Sequence, residues 1–225
     1  MKKRIITSLT SRSGFSMIEV VLAIGIFLVT VLALVGLLGP TLQSVDEVEK
    51  TDEVSSIVNT LNAFLQNSPD IAPGGSKFNA IYSAVAAGGE ATVFIFRYYD
   101  DTATGTGNAP VVRIAVGFNT GEGVNAGSEV DQSLFADAAG PIYRAVLSAS
   151  SVTPETLRSA VRNGVGIYTL AQTDVANYPE GYFAMEVRIF AEAPPGPQGT
   201  FTSATNLTTL NDEEPIFTYN TAVVR

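Results

Sequence analysis

Ser13-Gly14-Phe15-Ser16-Met17-Ile18-Glu19-Val20-Val21-Leu22-Ala23-Ile24-Gly25 opens an apolar run that continues to Gly39. Residues 15–39 carry one charge, Glu19. As a helix, this stretch extends about 37 Å at 1.5 Å per residue, enough to cross a hydrocarbon core of about 30 Å with some tilt. Lys2, Lys3, Arg4 and Arg12 precede it with no acid among them, whereas residues 15–225 hold nine basic and 22 acidic residues, a net charge of −13. Positive charge before the span and an acidic body after it predict a single pass, N-terminus cytoplasmic and body extracytoplasmic.

Three readings compete for this segment. A secretory signal needs a small-residue cleavage site after a shorter apolar run, and Gly36-Leu37-Leu38-Gly39-Pro40 matches poorly. An uncleaved anchor explains the hydrophobicity and the orientation. It does not explain Glu19. A carboxylate at the centre of a membrane helix costs about 2.5–3.5 kcal/mol on insertion scales, less near an end, so such residues rarely stand idle.

A basic leader, then Gly14, an aromatic at Phe15, and Glu19 five residues after the glycine resembles the prepilin cleavage and methylation motif. The chain is similar to the type IV pilin and type II secretion pseudopilin family. That resemblance implies that residues 1–14 are a leader, with Gly14 its last residue and a prepilin peptidase as processing partner. Phe15 would become an N-methylated N-terminus. Glu19 would neutralise the Phe15 amine of a neighbouring subunit, two charges each costly alone in lipid offsetting one another. The implied setting is the inner membrane, then a periplasmic or surface filament of pilin or pseudopilin subunits. The resemblance implies a structural protein rather than an enzyme, with no cofactor.

The resemblance is strong over 1–40 and fair to 66. Many pilins carry a proline about two thirds along the apolar helix; here Gly25 and Gly36 lie inside the run and the proline comes later, at Pro40. No cysteine is present to bound a C-terminal disulfide loop, and the processed length of 211 residues exceeds that of typical major pseudopilins. Both departures point to a minor subunit.

From 40 to 66 the apolar residues fall at 42, 45, 48, 54, 57, 58, 61, 64 and 65, a helical spacing with a polar opposite face. This predicts an amphipathic continuation of the anchor helix lying under a sheet. Residues 67–225 read as a globular domain. Runs rich in β-branched and aromatic residues predict strands at 91–99, 111–118, 142–148, 182–191 and 216–224, partly alternating, as for a sheet with one buried face. Short helices are predicted at 154–161, capped by Thr153, and at 128–138. One long helix followed by strands on short connections predicts an α+β fold, an antiparallel sheet packed on the helix, which also matches a pilin-like architecture.

Composition narrows the chemistry. With no His and no Cys, the commonest general base, the commonest transition-metal ligand and thiolate catalysis are removed. The acidic body disfavours nonspecific nucleic-acid binding, and no nucleic-acid partner is expected. Asp100-Asp101-Thr102, Glu129-Val130-Asp131 and Asp212-Glu213-Glu214 offer hard oxygen ligands but lack a patterned calcium-loop spacing, and no metal is expected. Gly105-Thr106-Gly107 and Gly121-Glu122-Gly123 lie between strands without a following helix, so neither resembles a phosphate loop. Tyr98, Tyr99, Tyr143, Tyr168, Tyr178 and Tyr182 form either a binding surface or core and strand positions. The rival to a filament subunit is therefore a pilin-anchored extracytoplasmic binding module, for adhesion or DNA uptake. An anchored enzyme would need a cleft with a perturbed carboxylate pair.

Overall fold

The structure, a computed structural model, describes residues 14–66, 77–104, 110–120, 129–195 and 213–225. The leader residues Lys2, Lys3, Arg4 and Arg12 lie outside them, as do the two glycine tripeptides of the preceding section. Helix α1, Met17–Gln66, runs for 50 residues without interruption. It passes through Pro40, which has no N–H to give to the carbonyl of Gly36. The chain divides into two units, Met1–Glu53 and Val54–Arg225, so the boundary falls inside α1.

In the second unit, α2 (Lys77–Gly88) leads into five strands: β1 (Glu90–Thr104), β2 (Pro110–Phe118), β3 (Ile142–Ala149), β4 (Tyr182–Glu192) and β5 (Phe217–Val224). They form one antiparallel sheet in the order β2-β1-β3-β4-β5. All five predicted strands are present, with bounds shifted by a few residues.

One sheet face carries Ala91, Val93 and Ile95, then Tyr143, Ala145 and Leu147, then Phe183, Met185, Val187 and Ile189. It packs against Ile57, Leu61 and Leu65 of α1 and Phe78, Ile81, Tyr82 and Val85 of α2. Of the stripe predicted over 40–66, Ile57, Leu61 and Leu65 lie under the sheet, whereas Val48 is 61% exposed and the side chains at 42 and 45 lie outside the described residues. Asn62 on the same helix accepts from the Tyr219 hydroxyl at 3.2 Å and from Thr221 Oγ1 at 3.3 Å, tying it to β5. Burial pushes the Tyr219 hydroxyl pKa up to about 12.

The opposite face is covered over β1, β3 and β4, which corrects the reading of a sheet with one buried face. Phe94, Phe96 and Ile142 lie under Val130 and Phe135, the latter on a 3-10 helix at Gln132–Asp137. Val146 and Phe190 lie under Ile167 from the β3–β4 connection. All eight residues of β3 are buried in consequence.

Two local predictions need correction. Helix α2 was not foreseen, although Phe78, Ile81, Tyr82 and Val85 have the i, i+3, i+4, i+7 spacing of a buried helical face. It ends on Gly89 at φ 85°, whose N–H returns to the Val85 carbonyl at 2.8 Å, an αL cap. No helix forms at 154–161. A single turn closes from Leu157 N–H to the Pro154 carbonyl at 2.8 Å, and Arg158 then pairs with Leu170 as an isolated bridge. Thr153 gives its hydroxyl to the Ala184 carbonyl instead of capping. Arg158 explains the preference. It donates to the carbonyls of Thr153 and Ser159 at 2.8 Å and of Ser151 at 3.1 Å, which holds the chain in a loop around its guanidinium. The helix expected at 128–138 is the 3-10 helix Gln132–Asp137, capped by Asp131.

Candidate functional site at the start of the apolar helix

Gly14, Phe15 and Ser16 precede the first helical residue, Met17, and have no regular secondary structure. The apolar helix therefore starts two residues later than the sequence suggests. Ser16 is its cap. The Ser16 carbonyl accepts from the N–H groups of Glu19 at 2.9 Å and Val20 at 3.2 Å, and the Ser16 N–H donates to Glu19 Oε2 at 3.3 Å. Serine followed three residues later by glutamate is the capping-box spacing, and the carboxylate reaching back to the cap N–H is one half of that motif. The positive end of the helix dipole favours the same acid.

Phe15 is 86% exposed, and Glu19 is exposed as well. A Cβ built at Gly14 meets nothing within 4 Å, and Gly14 is not in the left-handed region. Among the described residues nothing therefore demands a glycine at position 14. The same holds for Gly25 and Gly36.

Residues Met17–Leu37 make a helix long and apolar enough to cross a membrane: 21 residues, or about 31 Å. None of this span is buried within the chain. Thr30 Oγ1 donates to the Ile26 carbonyl at 2.8 Å, so its hydroxyl is satisfied inside the helix.

Of the acids weighed as calcium ligands, Asp100 and Asp131 have partners within the chain, and Asp212 lies outside the described residues. Asp100 pairs with Arg113 Nε at 2.9 Å. Asp131 accepts from the Ser133 N–H at 3.0 Å and hydroxyl at 2.7 Å, which lower its pKa. Among the described residues, no three acids converge on a metal-sized site. Of the tyrosines, Tyr143 and Tyr178 are core residues, and Tyr168 lies between two guanidinium groups, Arg158 at 4.1 Å and Arg162 at 4.9 Å from the ring centroid. Tyr99 and Tyr182 are exposed.

Buried charge on the covered sheet face escaped the sequence reading. Glu186, only 7% exposed, receives a two-pronged pair from Arg162, at 2.8 Å to Oε1 and 2.5 Å to Oε2, and Arg188 Nε at 3.0 Å. The Arg162 hydrogen bonds are the largest reason that its pKa lies below the usual carboxylate range. Both arginines also donate to the Gly166 carbonyl, which fastens the connecting loop over the sheet. Arg144, 1% exposed, lies with its Nε 2.5 Å from Glu192 Oε1. Burial raises the Glu192 pKa, with Arg144 opposing. Glu186 and Glu192 are six residues apart along β4, about 20 Å by strand rise, so they do not form an acid/base pair. Their alternation with Met185, Val187 and Ile189 signals a second face, but not that the face is covered.

Comparison of the chain with protein families, with curated proteins and with solved structures finds no match in any of the three.

Proposed function

We propose that the chain is a structural subunit, of minor type, in a type IV pilus-like or type II secretion filament. In this reading it sits in the inner membrane as a single pass with its N-terminus cytoplasmic. A prepilin peptidase cuts after Gly14, Phe15 is methylated, and Glu19 meets the Phe15 amine of another subunit as the helices pack. One observation carries the reading: a non-helical, exposed Gly14-Phe15-Ser16 leads directly into a membrane-length apolar span, Met17–Leu37, whose single acid lies in the first turn of the helix. The open space around Gly14 is consistent with it, because among the described residues no packing calls for glycine there.

Mass spectrometry of protein purified from cells with an active prepilin peptidase tests the proposal. The expected mature chain begins at N-methyl-Phe15, and Gly14→Ala keeps residues 1–14 without altering the stability of the body. An N-terminus still at Met1 in the native chain overturns it.

A second reading, a pilin-anchored binding module for adhesion or DNA uptake, draws on one surface of the body. Tyr99, Val112 and Ile114 are exposed on β1 and β2, with Arg97 paired to Ile114 and Tyr99 to Val112 across the ladder. Tyr99→Ser with Ile114→Ser separates the readings. Loss of adhesion or uptake with filaments intact favours the module, whereas unchanged adhesion favours the structural role.

A further inference from the structure

We infer that Ser16 is a positioning residue for Glu19, holding one carboxylate oxygen so that the other is presented to a second copy of this chain. The inference rests on the filament-subunit reading. Its observation is the hydrogen bond from the Ser16 N–H to Glu19 Oε2 at 3.3 Å, made while Gly14–Ser16 remain outside the helix.

A carboxylate accepts at both oxygens, at about four lone-pair directions in all. Occupying Oε2 with a peptide N–H of its own chain leaves Oε1 for a cation from elsewhere. An exposed glutamate without that contact samples several rotamers and must lose this freedom before it pairs. The cap removes much of that loss in advance, as preorganisation does in any binding site. It also keeps the acid partly satisfied while the subunit waits in lipid, where an unpaired carboxylate is costly. The donor is the peptide N–H rather than the serine hydroxyl, and this separates two substitutions. Ser16→Ala keeps the donor. Ser16→Pro removes it, while proline remains compatible with a helix start.

Two measurements on the full chain test the inference. In detergent micelles, hydrogen exchange of the Ser16 amide is expected to be about tenfold slower in the native chain than in Glu19→Ala, the loss of one hydrogen bond of ordinary net strength. Glu19→Gln, which retains a side-chain oxygen acceptor, is expected to keep most of the protection. Equal Ser16 exchange in the native chain and Glu19→Ala overturns the inference. In cells, sedimentable filament from cleaved subunits is expected to fall severalfold in Ser16→Pro, to stay near native in Ser16→Ala, and to fall no further when Ser16→Pro is added to Glu19→Ala. Equal assembly of Ser16→Pro and Ser16→Ala overturns the positioning role. If Ser16 protection depends on Glu19 but the native chain forms no filament, the hydrogen bond stands. The filament reading then falls, and the positioning role with it.

Discussion

Residues 17–37 and 54–66 belong to the same helix and use their apolar side chains in opposite ways. In the first stretch every residue is exposed, Phe27, Leu28 and Leu32 among them. In the second, Ile57, Leu61 and Leu65 are buried against the sheet. The difference follows from patterning. Around 54–66 polar residues separate the apolar ones, so a single stripe forms and the chain's own sheet covers it. Between 17 and 37 the helix is apolar on all sides, and no single sheet face could cover it. Such a segment finds its solvent in lipid or in other helices of the same kind. One half of α1 is covered by the chain's own sheet, and the other is exposed and long and apolar enough to cross a membrane.

This contrast predicts where substitutions act. A large stability effect is expected at Glu186→Ala, which leaves Arg162 and Arg188 without the carboxylate that both engage. Arg162 is 38% exposed and is rehydrated when the carboxylate is removed, so the loss is that of charge-assisted hydrogen bonds, about 1.5–3 kcal/mol, readable by chemical denaturation of the body. The pH dependence has a definite sign. Glu186 is held below its unfolded pKa of about 4.3, so its contribution is complete above that value and is lost as pH falls through the folded pKa. The native chain is therefore expected to lose stability on acidification below about pH 4.3 more steeply than Glu186→Gln.

Next comes a matched pair on α1. Leu61→Ala removes a fully buried side chain and is expected to cost about 2–5 kcal/mol, whereas Leu28→Ala in the exposed half leaves unfolding of the body unchanged. A similar loss from both would erase the distinction between the two halves. A smaller effect, about 1–3 kcal/mol, is expected at Gly89→Ala. Gly89 sits at positive φ, and an added Cβ falls 2.8 Å from Ile167 Cδ1. Thermal unfolding of that variant also reports on how firmly the β3–β4 connection seats over the sheet.

Much of the architecture was legible in the sequence. β-Branched and aromatic runs marked all five strands, and the stripe at 57, 61 and 65 marked the docked part of α1. Helix α2 was obscured by its composition. Ala80, Ala84, Ala86 and Ala87 give little amphipathic contrast, so the spacing of Phe78, Ile81, Tyr82 and Val85 was easy to overlook. Also hidden was the covering of the second sheet face. Glu186 and Arg188 look like solvent-facing positions until the fold brings Arg162 and the Gly166 carbonyl over them. Arg158 misled in a similar way, since residues 154–161 read as a helix when only local propensity is weighed. At the candidate site, Gly14, Phe15 and Glu19 were singled out from motif spacing, while the part played by Ser16 was missed. Its signal was present as serine three residues before glutamate at the start of an apolar run.

The filament reading is tested most directly by Glu19→Ala, expressed alongside the native chain and assayed for sedimentable filament. The expected result is loss of assembly with the body unfolding at the native temperature, because Glu19 is exposed and lies outside the body's core. A Glu19→Ala chain that polymerises as well as the native one would contradict the account. It would leave the carboxylate as a helix cap and nothing more.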